Sequence, residues 1–85
     1  MRLLRTERFK RDRDKLPGPV QEQLERKLRY LAEDLAHPSL RVKRIQKYGD
    51  LYEGSINMQY RFMFEMTTDA YILVRVGKHR ILDNL

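Results

Sequence analysis

The chain has 85 residues and is 41% hydrophobic, which suits one globular domain, residues 1–85, with two layers of secondary structure around a single core. It contains no cysteine, so disulfides, thiolate metal sites and a cysteine nucleophile are excluded. Eighteen lysines and arginines against 12 aspartates and glutamates leave a net charge of +6, which favours a polyanionic partner, either nucleic acid or a strongly acidic protein segment. A soluble basic domain without such a partner is the alternative.

The first half of the chain predicts a short strand followed by two helices. Residues 2–6 (RLLRT) form the strand candidate, and residues 7–16 have the pattern of a polar helix. LPGP at 16–19 ends this helix and starts a second one, because its prolines and glycine disfavour a helix interior but suit a turn and a first helical turn. Apolar residues then recur at spacings of three and four and predict one buried stripe: Val20, Leu24, Leu28, Leu31 and Leu35. We expect His37-Pro38 to end the second helix.

After residue 38 the period of the apolar residues changes from 3.6 to 2, which predicts a run of strands. The predicted strands are 41–46 at a sheet edge, 51–57, 60–66 and 70–76, with turns at 48–50 and 67–69. The last strand is nearly all apolar, so we place it inside the sheet. The predicted fold is α+β, in the order β-α-α-β-β-β-β. A helical hairpin packs on one face of a mostly antiparallel sheet of four to five strands.

The strand at 60–66 predicts a division of the sheet into two faces. Tyr60, Phe62 and Phe64 alternate along it and therefore share one face, which we expect to lie under the helices. Arg61, Met63 and Glu65 then point from the open face. The same alternation along the preceding strand adds Glu53 and Ser55 to that face. An open face of this kind suits a polyanion site, but it equally suits an ordinary solvated surface.

The last strand continues this pattern if Ile72, Val74 and Val76 are core residues. The residues predicted for the open face are then Tyr71, Leu73 and Arg75. Gly77 permits a sharp turn that brings His79 across the open face toward Arg61. A histidine, an arginine, nearby cations and a carboxylate are the groups needed to cleave RNA through its own 2′-hydroxyl, which requires a base, a cation for the phosphorane charge and an acid for the leaving oxygen. The alternative is that His79 is incidental.

The order of elements, and the run from HPSL at residue 37 onward, resemble the RelE/ParE superfamily of bacterial toxins. The chain is most similar to ribosome-dependent mRNA interferases of the RelE and YoeB type. The most specific part is INMQYRFMFEMTTDAYILVRVGKHRIL (56–82), which has the middle arginine, the apolar strand and the late histidine of the YoeB-type pattern. The preceding segment, HPSLRVKRIQKYGDLYEGSI (37–56), is similar to the basic stretch that leads to an aromatic residue at the start of a strand.

This resemblance implies a toxin of a type II toxin-antitoxin system that cleaves mRNA on the ribosome, without a metal or another cofactor. Arg61 then contacts the scissile phosphate, His79 transfers a proton, and Glu53 substitutes for the catalytic base. The basic residues that the resemblance and the charge pattern assign to RNA binding are Lys43, Arg44, Lys47, Arg75, Lys78 and Arg80. The implied partners are a cognate antitoxin, the ribosome and mRNA.

Two departures from the resemblance keep other functions open. YoeB-type enzymes follow the histidine with tyrosine, where this chain has Arg80, and RelE-type enzymes use a tyrosine near the C-terminus. A ParE-type inhibitor of DNA gyrase or a catalytically degenerate binding module on the same scaffold are therefore the alternatives. No apolar run approaches the roughly 20 residues of a membrane span, and the charged segment at 1–9 is unlike a signal peptide, so we expect a cytoplasmic protein.

Overall fold

The computed structural model describes residues 1–45 and 49–82 and contains a helical hairpin packed on one mixed sheet. The elements are β1 (Arg2–Arg5), α1 (Glu7–Asp14), α2 (Gly18–Glu33), a 3-10 turn (Pro38–Leu40), β2 (Lys43–Arg44), β3 (Leu51–Ser55), β4 (Tyr60–Met66), β5 (Ala70–Lys78) and α3 (His79–Leu82). The strand order is β1-β5-β4-β3-β2, with β1 parallel to β5 and the other three pairs antiparallel. The predicted α+β class is confirmed, and α3 is an addition that the sequence did not predict.

The core lies between the helices and one face of β3, β4 and β5. Phe62 and Phe64 are completely buried, as is Phe9 of α1, so the predicted aromatic face does lie under the helices. Gly54 of β3 faces the ring of Phe62. A Cβ atom at position 54 would lie 2.8 Å and 2.9 Å from two ring carbons and closer still to Cζ, so the ring occupies the space of the missing side chain.

The predicted apolar stripe of α2 is confirmed, although the helix is shorter than predicted. Its buried residues are Val20, Leu24, Leu28 and Leu31. The helix ends at Glu33 because Asp34 is extended and accepts a 3.0 Å hydrogen bond from the Ala36 N–H, which turns the chain before the predicted end. Leu35 therefore lies beyond the helix, where it still packs against the core.

Leu28→Ala is expected to reduce the free energy of unfolding by about 2–5 kcal/mol, because it leaves a cavity between α2 and the sheet. The side chain of Leu28 is 2% exposed. Leu4→Ala is the matched control, since Leu4 is 42% exposed and removal of its side chain leaves no cavity. Chemical denaturation of both variants measures the difference. An unchanged midpoint for Leu28→Ala would contradict the register of α2.

One carboxylate joins the first strand to both helices. Glu25 of α2 accepts hydrogen bonds from Arg5 Nη1 at 3.0 Å and Nη2 at 2.6 Å, and from Arg13 Nε at 3.2 Å. The two hydrogen bonds from Arg5 hold the pKa of Glu25 below its ordinary value of 4.5, and Arg13 adds to this against the opposing effect of burial. Arg5 also lies over the ring of Phe9, 5.8 Å from its centroid.

The lowered pKa of Glu25 predicts a pH dependence of stability. A carboxyl group with a depressed folded-state pKa stabilises the fold above its ordinary value of 4.5 and loses this contribution as the pH falls through the folded value. Glu25→Gln should therefore unfold more easily than the parent protein at neutral pH, and the two should converge as the pH falls below 4.5. Urea denaturation at a series of pH values measures this. A difference that is the same at pH 3 and pH 7 would contradict the ion-pair account.

Three of the predicted strands are shorter in the structure, and the one predicted at 2–6 loses only its last residue, Thr6. The strand predicted at 41–46 is confined to β2, because Arg41 has a left-handed φ of 47°; Gln46 lies outside the described residues. The predicted position of this strand at the edge of the sheet is confirmed. The strand predicted at 51–57 ends at Ser55, because the side chain of Asn57 builds the β3–β4 turn. Its Oδ1 accepts hydrogen bonds from the N–H groups of Gln59 and Tyr60 at 2.8 Å and 3.0 Å.

The predicted division of β5 into two faces is wrong from Tyr71 to Val74, whereas Val76 is buried in the core as predicted. Phe64 pairs with Leu73 and Met63 pairs with Arg75, so Val74 is an extra residue in a β-bulge. The bulge changes the phase of the alternation along the strand. Tyr71 and Leu73, which were predicted for the open face, are buried in the core under the helices, whereas Val74 packs on the other face. The position of β5 inside the sheet is as predicted.

The strand β5 extends beyond the point where its neighbour β1 ends. The last pair of the parallel register is Arg5 with Leu73, and Thr6 closes it, because its N–H and its hydroxyl donate to the Leu73 carbonyl at 3.1 Å and 2.9 Å. Thr6 also caps α1 by accepting from the Phe9 N–H. The end of β5 therefore has one free edge. None of the helices described here combines the length and apolar character that crossing a membrane requires.

Candidate functional site

Arg61 lies near the start of β4, between Ser55 of β3 and Gly77 of β5. Its Nη1 atom donates to the carbonyl of Tyr60 at 3.0 Å and to the carbonyl of Asn57. Among the described residues, no hydrogen bond uses Nε or Nη2 of Arg61. The guanidinium is thus held by one nitrogen and keeps the edge that binds a phosphate through two parallel hydrogen bonds.

The β3–β4 turn fixes the position of this arginine. Besides accepting from Arg61 and from the turn amides, Asn57 donates through Nδ2 to Oε1 of Gln23 at 2.7 Å. One asparagine therefore connects the arginine to α2, on the other layer of the fold. Sequence reasoning did not identify Asn57 or Gln23 as part of the site, because the two residues that pair here are 34 positions apart along the chain.

His79 reaches the same end of the sheet by a route that differs from the prediction. The chain does not turn at Gly77: β5 continues through Lys78, and α3 starts at His79. The His79 N–H donates to the Gln59 carbonyl at 3.1 Å, and Arg61 pairs with Gly77, so His79 starts α3 two residues past the partner of Arg61. His79 is exposed. Extended pairing with β4 keeps Gly77 in the strand, which the sequence could not distinguish from a turn.

Glu53 is on the open face but does not contact Arg61. It pairs in register with Met63, one step along that face from the pair of Ser55 and Arg61. Its carboxylate is buried and lies 3.4 Å from the ammonium of Lys43, which is itself exposed. The candidate base is therefore shielded from solvent and paired with a cation of the candidate RNA-binding group.

The other basic residues predicted to bind RNA are spread over two regions. Arg44 lies on the edge strand and donates through Nε to the Gly49 carbonyl at 2.8 Å, and Lys47 lies outside the described residues. Lys78 and Arg80 are exposed at the end of β5 and the start of α3, beside His79. Arg75 is different, because its Nε donates to Asp12 of α1 at 2.7 Å and its side chain is 11% exposed. It is a structural ion pair, not a free cation.

The open face is less polar than predicted. Leu51 and Met63 are buried there, and Ile45 and Val74 pack against them. This apolar cluster occupies the part of the face away from Arg61. The polar groups around Arg61 on this face are Ser55 and the start of α3, with Glu53 one step further along β3. The sequence contained one sign of this apolar cluster. The strand β5 is apolar at successive positions, whereas a strand with one solvated face should alternate with polar residues.

No protein-family model and no curated protein matches this sequence. Solved structures do match its fold. The chain is similar to one in the RelB-RelE antitoxin-toxin complex from Methanococcus jannaschii, with a TM-score of 0.79 and 20% identity over 95% of each chain. It is also similar to YafQ from Escherichia coli, with a TM-score of 0.82 and 14% identity over 96% of this chain and 98% of the other. The YoeB/ParE toxin from Agrobacterium tumefaciens gives 0.79 and 12%, over 93% and 99%.

The fold is therefore that of the RelE/ParE toxin superfamily, as the sequence resemblance implied. The structural neighbours are toxins of toxin-antitoxin systems, and several were solved together with their antitoxins. Within residues 1–45 and 49–82, the histidine and acidic side chains form no cluster that could hold a metal ion.

Proposed function

We propose that residues 1–85 form one RelE-like toxin domain that cleaves mRNA on the ribosome and thereby inhibits translation. The observation that carries this proposal is Arg61, which is held by one nitrogen at the end of the sheet where His79 also lies. An arginine with a free edge and a neighbouring histidine are two of the groups that 2′-hydroxyl cleavage needs.

In the proposed reaction the 2′-oxygen of the nucleotide attacks the adjacent phosphorus, and the bond to the 5′-oxygen of the next nucleotide breaks. Arg61 binds the non-bridging oxygens, whose charge grows in the transition state. His79 gives a proton to the departing 5′-oxygen. Glu53 is the candidate acceptor of the 2′-hydroxyl proton. Because its carboxylate is buried beside Lys43, it could act only if the RNA displaces Lys43 or reaches over it. The products are a 2′,3′-cyclic phosphate and a free 5′-hydroxyl.

The two-part site also explains why we propose cleavage on the ribosome. Arg61 and His79 supply charge and a proton, but no described side chain near them would hold the ribose in line with the phosphate. A host that aligns the RNA is therefore required, and the free protein should cut naked RNA poorly. The proposed basic contacts to mRNA or ribosomal RNA are Lys43, Arg44, Lys47, Lys78 and Arg80.

The proposed cellular setting is the cytoplasm, with a cognate antitoxin as the silencing partner. Antitoxins accompany several structural neighbours, and a net charge of +6 favours a largely acidic segment. The exposed edge strand β2 and the outer surface of α1 and α2 are the surfaces for strand addition or helix docking. Co-expression with the antitoxin should raise the yield sharply.

Induction of the protein in bacteria, followed by primer extension on cellular mRNA, tests the proposed function. We expect discrete breaks inside translated codons, and no breaks in the same transcripts when their start codons are removed. Double-strand DNA breaks without mRNA cleavage would instead point to inhibition of DNA gyrase, the activity of ParE-type members on this scaffold. A harmless and stable protein would leave only a toxin-like binding module.

A further inference from the structure

The free edge at the end of β5 is one wall of a cleft that contains Lys78, one of the proposed RNA contacts, but has no part in the proposed bond-breaking step. The cleft has a volume of about 360 Å³ and lies on the side of β5 where β1 has already ended. Its lining residues are Asp12, Lys15, Tyr60, Arg75, Val76, Gly77 and Lys78. This volume falls within the range of small-ligand sites in proteins, roughly 300–1,000 Å³.

The charge of the cleft is positive because its carboxylate is already neutralised. Asp12 accepts from Arg75 Nε at 2.7 Å, from Arg75 Nη2 at 3.5 Å and from the Val76 N–H at 3.2 Å. The two lysines in the cleft, Lys15 and Lys78, are exposed and form no ion pair within the part of the chain that the structure describes. Two lysines therefore line the cleft, and no carboxylate among the described residues pairs with either of them.

Backbone and aromatic groups complete the cleft. The Val76 N–H points to Asp12, and backbone groups two residues apart on a strand point the same way, so the Lys78 N–H also points to this side. Tyr60 supplies a half-buried ring, and no hydrogen bond of its hydroxyl is seen among the described residues. Cations and a backbone N–H suit a phosphate, and an aromatic face suits a stacked base.

We infer that this cleft binds a nucleotide of single-stranded RNA, with the phosphate between Lys15 and Lys78 and the base against Tyr60. The inference rests on the proposed function and extends it, because the cleft is next to the candidate site. Tyr60 and Lys78 are register partners one step along the strands from the pair of Arg61 and Gly77, with their side chains on the opposite face of the sheet from Arg61. An RNA strand that places its scissile phosphate on Arg61 can therefore pass around the end of β5 and enter the cleft with a flanking nucleotide.

A binding assay with an RNA that cannot be cleaved tests this inference separately from catalysis. The probe is a fluorescent, single-stranded 2′-O-methyl oligonucleotide, whose affinity is measured by anisotropy at several salt concentrations. Lys15→Ala and Lys78→Ala should each weaken binding roughly fivefold at 50 mM salt, and each should reduce the salt slope by about 0.7, the value for one lost contact to a single strand. Lys15→Arg should retain both properties.

Three more variants separate binding in the cleft from the effect of general charge and test the role of the ring. Lys10→Ala removes the same charge from α1 at a residue outside the cleft, so it should bind like the parent protein. Tyr60→Leu keeps apolar packing but removes the ring, and it should weaken binding about fivefold or more with the salt slope unchanged. Its unfolding midpoint is measured alongside, and Tyr60→Phe, which keeps the ring, should bind nearly normally.

The possible results distinguish this inference from the proposed nuclease. If Lys15→Ala and Lys78→Ala bind the probe like Lys10→Ala, the cleft is not an RNA site, whatever happens to cleavage. If poly-glutamate at equal charge displaces the probe and depends equally on both lysines, the cleft takes an acidic protein segment and the inference is overturned. If the lysine variants weaken binding while the parent protein cleaves nothing on ribosomes, the inference stands and the nuclease proposal fails.

Discussion

Arg61→Ala is expected to lose about a hundredfold or more in the rate of cleavage of ribosome-bound mRNA. The reason is the growth of negative charge on the phosphate oxygens during the reaction, which the free Nε and Nη2 edge of Arg61 would meet with two hydrogen bonds. Arg61→Lys should recover only part of the rate, because an ammonium is a point charge and cannot reproduce the planar fork. Single-turnover cleavage on programmed ribosomes is the measurement.

The folded state of the Arg61→Ala variant has to be checked, because the side chain also supports the turn. Removing it takes one donor from each of the carbonyls of Asn57 and Tyr60, which still accept from the Ser55 hydroxyl and the Ile56 N–H. The expected cost is therefore about 0.5–1.5 kcal/mol in the free energy of unfolding for each lost hydrogen bond. Cleavage is therefore measured well below the unfolding midpoint. Arg8→Ala is the matched control, since Arg8 is an exposed arginine on α1 with no ion pair among the described residues. Equal losses in both variants would contradict a specific role for Arg61.

The fold could be predicted where one periodicity determined a whole face. In β4 the alternation of rings leaves one phase that buries Phe62 and Phe64, and the structure confirms it. In α2 the stripe that includes Leu28 likewise allows only one orientation, since rotating the helix would expose every leucine at once. Local patterns of this kind are sufficient because burial acts on all members of the face together.

The same reasoning failed in β5, whose sequence is apolar on both faces. Either phase of Ala70–Lys78 buries branched or aromatic residues, so alternation alone could not choose between them. The bulge at Val74 then changes the phase within the strand, and it depends on how Met63 and Phe64 of the partner strand pair with it. This information is not local to the strand. The bulge explains both why Tyr71 and Leu73 were assigned to the wrong face and why the apolar cluster on the open face was not predicted.

The candidate site could be predicted in part for a similar reason. Arg61 interrupts an aromatic strand, which is a local signal. Arg75 gives the same local signal but pairs with Asp12, 63 residues away, and nothing near either residue indicates the pairing. The support that Asn57 receives from Gln23 also crosses the chain, over 34 residues. Charge in the sequence thus located the basic end of β5, whereas the structure was needed to separate paired cations from available ones.

His79→Ala is expected to reduce the cleavage rate by about 10²–10⁴-fold, because the departing 5′-oxygen would leave without a proton. His79 is exposed at the start of α3 and is held there through its backbone N–H, so its side chain can be removed without loss of a hydrogen bond to any residue that the structure describes. Glu53→Gln should be similarly damaging if Glu53 accepts the 2′-hydroxyl proton. A nearly normal rate for that variant would transfer this role to water or to a ribosomal group.

A substrate with sulfur in place of the 5′-bridging oxygen separates these roles, because a thiolate departs readily without protonation. On this substrate His79→Ala should regain most of its lost rate, since the step that it assists is no longer needed. Arg61→Ala should stay slow, because the charge on the non-bridging oxygens is unchanged. A defect in His79→Ala that persists with the sulfur substrate would mean that His79 positions the RNA and is not the acid. Parent-like rates from the double variant Arg61→Ala and His79→Ala on the ordinary substrate would remove the catalytic proposal and leave a binding module.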